Sequence, residues 1–167
     1  MFDQIEKRMP INIFLSRPTV ISNKFEAQYT AFEAYLARKG YKVGRLGANQ
    51  YTMDSPLKGV MGLMKTCSGA IILGYPQYEV TAALSKAATP EQRISAVFPT
   101  PWNQIEATLA FKQRIPVLVV AHEGVTGGIF DHGVTGEYVH TTNLNRKDWH
   151  KTKAFQGVFQ DWEKRIK

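Results

Sequence analysis

Glu106 stands four residues after Trp102 in the run Phe98-Pro99-Thr100-Pro101-Trp102-Asn103-Gln104-Ile105-Glu106. A carboxylate held against an aromatic ring can stabilise an oxocarbenium-like carbon or attack it, which is the chemistry of glycosidic bond cleavage. An N-ribosidic bond needs the same help. Arg17 offers a guanidinium that can grip a phosphate or carboxylate through two hydrogen bonds, and Tyr75 and Trp102 offer rings that can stack on a base. Glu106 is therefore the candidate catalytic residue, with Ser16, Arg17, Gly74, Tyr75, Trp102, Asn103 and His122 as the candidate substrate-binding set. The structural alternative for Glu106 is an acid in the early turns of a helix, stabilised by the helix dipole.

These residues need elements to hold them. Thr100 is a good N-cap and Pro101 is favoured at the first helical position, so a helix is expected to begin there and to carry Trp102 and Glu106 on one face. The apolar runs Ala70 to Leu73 and Pro116 to Val120 have the length of strands buried on both faces of a parallel sheet. Ile11 to Ser16 reads as the first strand. Phe25, Tyr29, Phe32 and Leu36 recur at helical spacing after it, and Gly40 is the stop signal. Tyr41 to Leu46 reads as a second strand near an edge. A second helix opens at Ser55-Pro56, with Leu57, Val60, Met61 and Met64 on its apolar face.

Tyr78 to Phe98 forms a long, weakly patterned insertion of the kind that serves as a lid, a binding loop or a partner surface; a short helix over Val80 to Ala87 is expected within it. The Thr100 helix should turn Ile105, Leu109 and Phe111 toward the core. Glu137 to Thr141 is a candidate fifth strand, and Phe155, Val158, Phe159, Trp162 and Ile166 mark one side of a last helix. Strands alternating with helices predict an α/β fold, a flavodoxin-like, three-layer, doubly wound parallel sheet of about five strands in the order 2-1-3-4-5. In such sheets ligands bind beyond the carboxyl ends of the strands, at the switch point between strands one and three. That places Ser16-Arg17-Pro18, Gly74-Tyr75-Pro76 and the Trp102 to Glu106 turn around one crevice. No linker divides the 167 residues, so one domain is expected.

Composition narrows the partners. The net charge is +7, but seven of the 21 basic residues lie between Asn145 and Lys167 against three acids, on what reads as a solvated helix. No basic cluster interleaves with aromatics, so no nucleic-acid partner is expected. Cys67 is the single cysteine and reads as a small core residue in a reducing compartment. The mixed, acidic start of the chain and the lack of any long apolar run predict no membrane span and a soluble, cytoplasmic protein. P-loop, G-x-G-x-x-G and G-x-S-x-G spacings are absent. The histidines lack the spacing of a helical zinc site, and a centre built from His122, Asp131 and His132 is the minor alternative to no metal at all.

The run Ser68 to Gly74, then Thr100-x-Trp102-x-x-x-Glu106, then Ile115 to Val119, resembles the Toll/interleukin-1 receptor (TIR) domain, whose enzymatic members carry a tryptophan four residues before a catalytic glutamate. Ile13 to Ser16 is similar to its first strand. The same core resembles nucleoside 2-deoxyribosyltransferases, which share the flavodoxin-like fold and place a glutamate nucleophile on the equivalent helix. Those enzymes carry aspartates where this chain has Thr100 and Ser68. The resemblance covers residues 11 to 121. It implies that Glu106 attacks or stabilises C1′ of a ribosyl group, that NAD or a related nucleotide or nucleoside is the substrate with no recycled cofactor, and that the protein acts as a homo-oligomer, in the manner of bacterial immune enzymes. A nucleotide-binding or adaptor module with the same fold and no chemistry is the alternative.

Overall fold

The computed structural model describes residues 9–47, 53–85 and 92–166; the acidic start of the chain lies outside them. Five parallel strands form the central sheet: β1 (Ile11–Ser16), β2 (Tyr41–Gly44), β3 (Gly69–Gly74), β6 (Val117–His122) and β7 (Val139–Thr142). Their spatial order is β2-β1-β3-β6-β7, which is the expected 2-1-3-4-5 winding once the intervening strands β4 (Tyr78–Ser85) and β5 (Gln92–Phe98) are set aside. Four α-helices among the described residues flank the sheet: α1 (Asn23–Arg38), α2 (Pro56–Met64), α3 (Pro101–Lys112) and α4 (Lys153–Arg165).

Period-two alternation sends successive strand residues into two separate cores. Ile13, Leu15, Ile71, Leu73, Leu118 and Val120 join the α1 stripe of Phe25, Tyr29, Phe32 and Leu36 and the α4 residues Phe155, Phe159 and Trp162. Phe14, Ala70, Ile72, Val119 and Ala121 point the other way, to Val60 and Met64 of α2 and Ala107 and Ala110 of α3. The three layers follow directly. The first core is aromatic and large, with Phe32, Trp149, Phe155 and Phe159 all fully buried. In the second, the small side chains Ala70, Ala107, Ala110 and Ala121 lie between α3 and the sheet and let the helix come close.

Several elements depart from the sequence expectation. The stretch predicted as a short helix from Val80 is instead one arm of an antiparallel hairpin, in which Tyr78 pairs with Phe98 and Ser85 with Gln92. Helix propensity from the alanines is weak beside a ladder of backbone hydrogen bonds, even one whose register shifts between Val80 and Ala83. The hairpin leaves Tyr78, Leu84 and Ile94 exposed. On α2, Val60 and Met64 are buried but Leu57 and Met61 are exposed, so the apolar face is narrower than predicted. On α3 the buried stripe is Asn103, Ala107 and Ala110, whereas Ile105 is 39% exposed and Leu109 and Phe111 only border the core. That rotation turns Trp102 and Glu106 away from the sheet centre. Cys67 is a free, buried thiol, as predicted, and no helix among the described residues is long and apolar enough to cross a membrane.

His150 is fully buried among Phe32, Tyr35 and Trp149, and neither ring nitrogen has a hydrogen-bond partner. Burial lowers its pKa from the usual 6.5 because a charged imidazolium loses its water there, and the opposing charge of Asp148 does not make up for it. The unfolded chain then binds the proton more readily than the folded one, so this residue subtracts stability as pH falls below about 6.5. The His150→Met variant is expected to gain stability relative to wild type between pH 7 and pH 5 in urea unfolding. A constant gap across that range would contradict the neutral, unsolvated imidazole.

Candidate active site

Thr100 caps α3 as its sequence position requires: the hydroxyl accepts a hydrogen bond from the Asn103 backbone N–H at 3.3 Å, and Pro101 occupies the first turn. Such a cap contributes about 1 kcal/mol and fixes where the first turns of the helix point. They point across the carboxyl ends of β1 and β2. A cavity of about 370 Å³ lies there, lined by Phe14, Leu15, Arg17, Pro18 and Thr19 from the end of β1, Arg45, Leu46 and Gly47 after β2, Pro56 and Val60 of α2, and Thr100, Trp102 and Glu106. Its size falls at the small end of the range for ligand pockets, about 300–1,000 Å³.

Glu106 is the only carboxylate lining this cavity among the described residues. Its pKa is pushed up to about 7, first by burial, which penalises the charged form, and against the opposing pull of a hydrogen bond from Ser16 and the nearby charge of Arg45. The group is thus balanced between its two protonation states near neutrality, a property that clusters at working sites. Trp102, one turn earlier on the same face, is 43% exposed and forms part of the cavity rim, with its ring open to a planar ligand.

Two guanidinium groups share the cavity. Arg17 is largely buried, its guanidinium 4.1 Å from the centroid of the Tyr29 ring, and Nη1 donates to the Pro18 carbonyl at 3.1 Å. Its Nε is buried without a partner. Arg45 donates from Nη1 to the Tyr29 hydroxyl at 3.1 Å. Tyr29 passes its own hydroxyl hydrogen to Glu33, and burial raises its pKa far above the usual phenol value, so it stays a neutral post between the two cations. Glu26 lies 4.0 Å from Arg17 and is a loose counter-charge. Two cations held this way, with a buried N–H unspent, suit an anionic ligand group.

Arg17, Trp102 and Glu106 are thus brought together, with Ser16 directly behind Glu106. The other four candidates lie elsewhere. Gly74 is packed under Phe130, and a Cβ there would come within 2.5 Å of that ring, so the glycine serves close packing. Tyr75 is fully buried on the α1 face, edge-on to Phe25 with ring centroids 5.2 Å apart, and cannot stack on a ligand in this cavity. His122 also sits against Phe25, and its Nδ1 accepts from the Leu144 backbone N–H at 3.1 Å. Asn103 is 1% exposed and bonded to Ser16 and the Leu73 carbonyl, filling the space beside the end of β3. With β3 covered in this way, the crevice opens over β1 and β2 and not between β1 and β3 as expected.

Arg45 is the functional candidate that sequence reasoning missed. It follows β2 directly, so its place beyond the carboxyl end of the strand beside β1 was the available signal. Asp131 of the weak metal alternative accepts hydrogen bonds from the Thr126 hydroxyl and the Gly127 backbone, a loop-closing role. No group of three or more potential ligands converges among the described residues.

No protein-family model and no curated protein matches the sequence. Among solved structures, the fold is similar to that of the CMP N-glycosidase BcmB of Clostridium botulinum, with a TM-score of 0.53 and 15% identity over 90% of this chain and 98% of that one. At that identity the likeness establishes the three-layer α/β fold.

Burial of Glu106 makes a prediction about stability that needs no substrate. Its raised pKa means that the folded protein loses stability on ionising it, by about 1.4 kcal/mol per pH unit between the unfolded and folded values. Glu106→Gln, which does not titrate, should match wild type near pH 4.5 and become more stable than it as pH rises to about 7, with the gap level above. Chemical unfolding at pH 5 and pH 8.5 checks this; a variant less stable at the higher pH would contradict it.

Proposed function

We propose that the protein is an enzyme that cleaves or transfers at the N-glycosidic bond of a nucleotide or nucleoside, with Glu106 as the carboxylate that meets C1′. The observation that carries this reading is a single half-buried carboxylate, balanced near pH 7, in a cavity that also presents an aromatic ring and two arginines. Breaking the C1′–N bond leaves the electron pair on the base and positive charge on the ribosyl ring. The ionised Glu106 either stabilises that charge or bonds to C1′. In hydrolysis water supplies the hydroxyl that ends on C1′, and its other hydrogen ends on a base such as cytosine or, when the leaving group is the pyridinium of NAD and departs as neutral nicotinamide, leaves as a proton to solvent; in transfer a second acceptor replaces water.

In this reading Trp102 stacks on the base, and Arg17 with Arg45 holds a phosphate. A CMP N-glycosidase is built on a similar fold, which supports a nucleotide as the substrate class; NAD as that nucleotide is proposed from the TIR resemblance alone. No cofactor is required by this chemistry. A cytoplasmic homo-oligomer with a part in bacterial immune signalling is the biological setting we propose from the TIR resemblance. The second reading is a nucleotide-binding or adaptor module of the same fold, favoured by the exposed Tyr78, Leu84 and Ile94 of the hairpin.

Purified protein incubated with NAD, nucleoside 5′-monophosphates and deoxynucleosides should release nicotinamide or free base from at least one of them. Glu106→Gln should lose that turnover by a factor of about 100 or more, and wild-type activity should rise through an ascending limb near pH 7 as Glu106 ionises. Binding without turnover in wild type would favour the module. If a phosphate is held as proposed, Arg17→Met should raise KM for the phosphorylated substrate about tenfold or more while leaving kcat close to wild type. An equal loss on the unphosphorylated nucleoside would remove Arg17 from that role.

A further inference from the structure

Tyr29 does not line the cavity, yet its side chain meets both arginines that do. Its ring faces Arg17, whose guanidinium carbon lies 4.1 Å from the ring centroid. A cation over an aromatic face is attracted by the ring quadrupole, and the attraction grows where water is kept away. Here water is kept away: Tyr29 belongs to the aromatic core, and the Arg17 side chain is 9% exposed. The guanidinium carbon of Arg45 is further from the same ring, at 5.7 Å, and its main contact with Tyr29 is polar: Nη1 donates to the hydroxyl at 3.1 Å. A phenol hydroxyl has one hydrogen, and Tyr29 gives it to Glu33, one turn further along α1. The oxygen is left to accept, which suits a guanidinium, a group with donors alone.

We propose that Tyr29 is a positioning residue for the anionic group of the ligand: its ring sets Arg17 and its hydroxyl sets Arg45, so that cations from the ends of two strands open onto one phosphate. A long side chain held in place beforehand loses less freedom when the ligand binds. The two like charges are also offset from outside the cavity. Glu26 lies 4.0 Å from Arg17, and Glu33 sits on the far side of the Tyr29 hydroxyl; neither lines the cavity, so neither competes for the face a ligand would meet. Arg17 keeps a donor unspent, since Nη1 is bonded to the Pro18 carbonyl while Nε is buried without a partner. One aromatic residue of α1 thus ties the core to both halves of the anion site, by two different interactions that can be removed one at a time.

This inference rests on the two arginines holding a phosphate, and its test reads binding without turnover. The probe is ribose 5-phosphate, which carries the phosphate and has no base to lose; its affinity is measured by NMR titration. Tyr29→Phe keeps the ring and the core packing but removes the hydroxyl, and should weaken binding about tenfold. The same substitution should have little further effect in Arg45→Met protein and its full effect in Arg17→Met protein, because the hydroxyl acts through Arg45. Tyr29→Leu removes the ring as well and should bind more weakly than Tyr29→Phe, which carries the test alone if the leucine variant does not fold. Where a nucleoside 5′-monophosphate is turned over, Tyr29→Phe should raise its KM by the same factor, with kcat and the KM of the matching nucleoside close to wild type. A general loss of structure would not give that split. Equal affinity in wild type and Tyr29→Phe, or equal factors in the two arginine backgrounds, would overturn the positioning role and leave the phosphate site standing. Wild type that does not bind ribose 5-phosphate, or binds it no better than Arg17→Met does, would overturn the phosphate site and this inference with it. The expected pattern in a protein that turns over no nucleotide would support the positioning role and overturn the enzymatic reading alone.

Discussion

A carboxylate kept from water at the end of a parallel sheet is the constraint around which the rest of this protein is arranged. Burial penalises the charge on Glu106, whereas a cation beside it favours that charge, and a group held at either extreme would serve poorly for chemistry at a ribosyl carbon. The structure sets desolvation against one hydroxyl donor and the field of Arg45, and the outcome lies near neutrality. A group so balanced takes its charge from small changes around it, including the arrival of a phosphate beside the arginines.

The fold supplies that balance cheaply. Parallel strands all end on the same side, so β1 and β2 deliver Ser16, Arg17 and Arg45 to one edge without any special loop. The small-residue core under α3, with Ala70, Ala107, Ala110 and Ala121, lets the helix lie close enough for Asn103 to reach both β1 and β3. A larger residue at Ala107 would lift the helix and break the contact with Ser16. On the opposite face the aromatic core around Phe32 and Trp149 anchors α1, and through Tyr29 it anchors the two arginines as well. The thick core gives rigidity and the thin one gives proximity.

Much of this was legible in the residues alone. Continuous apolar runs and the Phe25, Tyr29, Phe32, Leu36 stripe specify buried strands and an amphipathic helix through periodicity, and the winding order follows from handedness and short connections. Thr100-Pro101 announces a helix start, and with it the Trp102 and Glu106 face. What could not be read was rotation and depth. One turn of α3 about its axis decides whether Asn103 meets substrate or Ser16, and no spacing rule distinguishes these. Tyr75 follows β3 and His122 ends β6, so both belong formally to the ligand-binding edge, yet both pack against Phe25 on the other face. The hairpin was hidden because its alanines and serines carry no pattern; its strands exist by pairing with each other.

The most direct test of the account is a crystal structure of the Glu106→Gln variant bound to a substrate shown to be turned over by wild type, or to a nucleoside 5′-monophosphate if none is. The account predicts C1′ in contact with the substituted side chain, the base against Trp102, and the anionic group between Arg17 and Arg45. A ligand bound with its glycosidic carbon remote from position 106, or seated outside the cavity over β1 and β2, would contradict it.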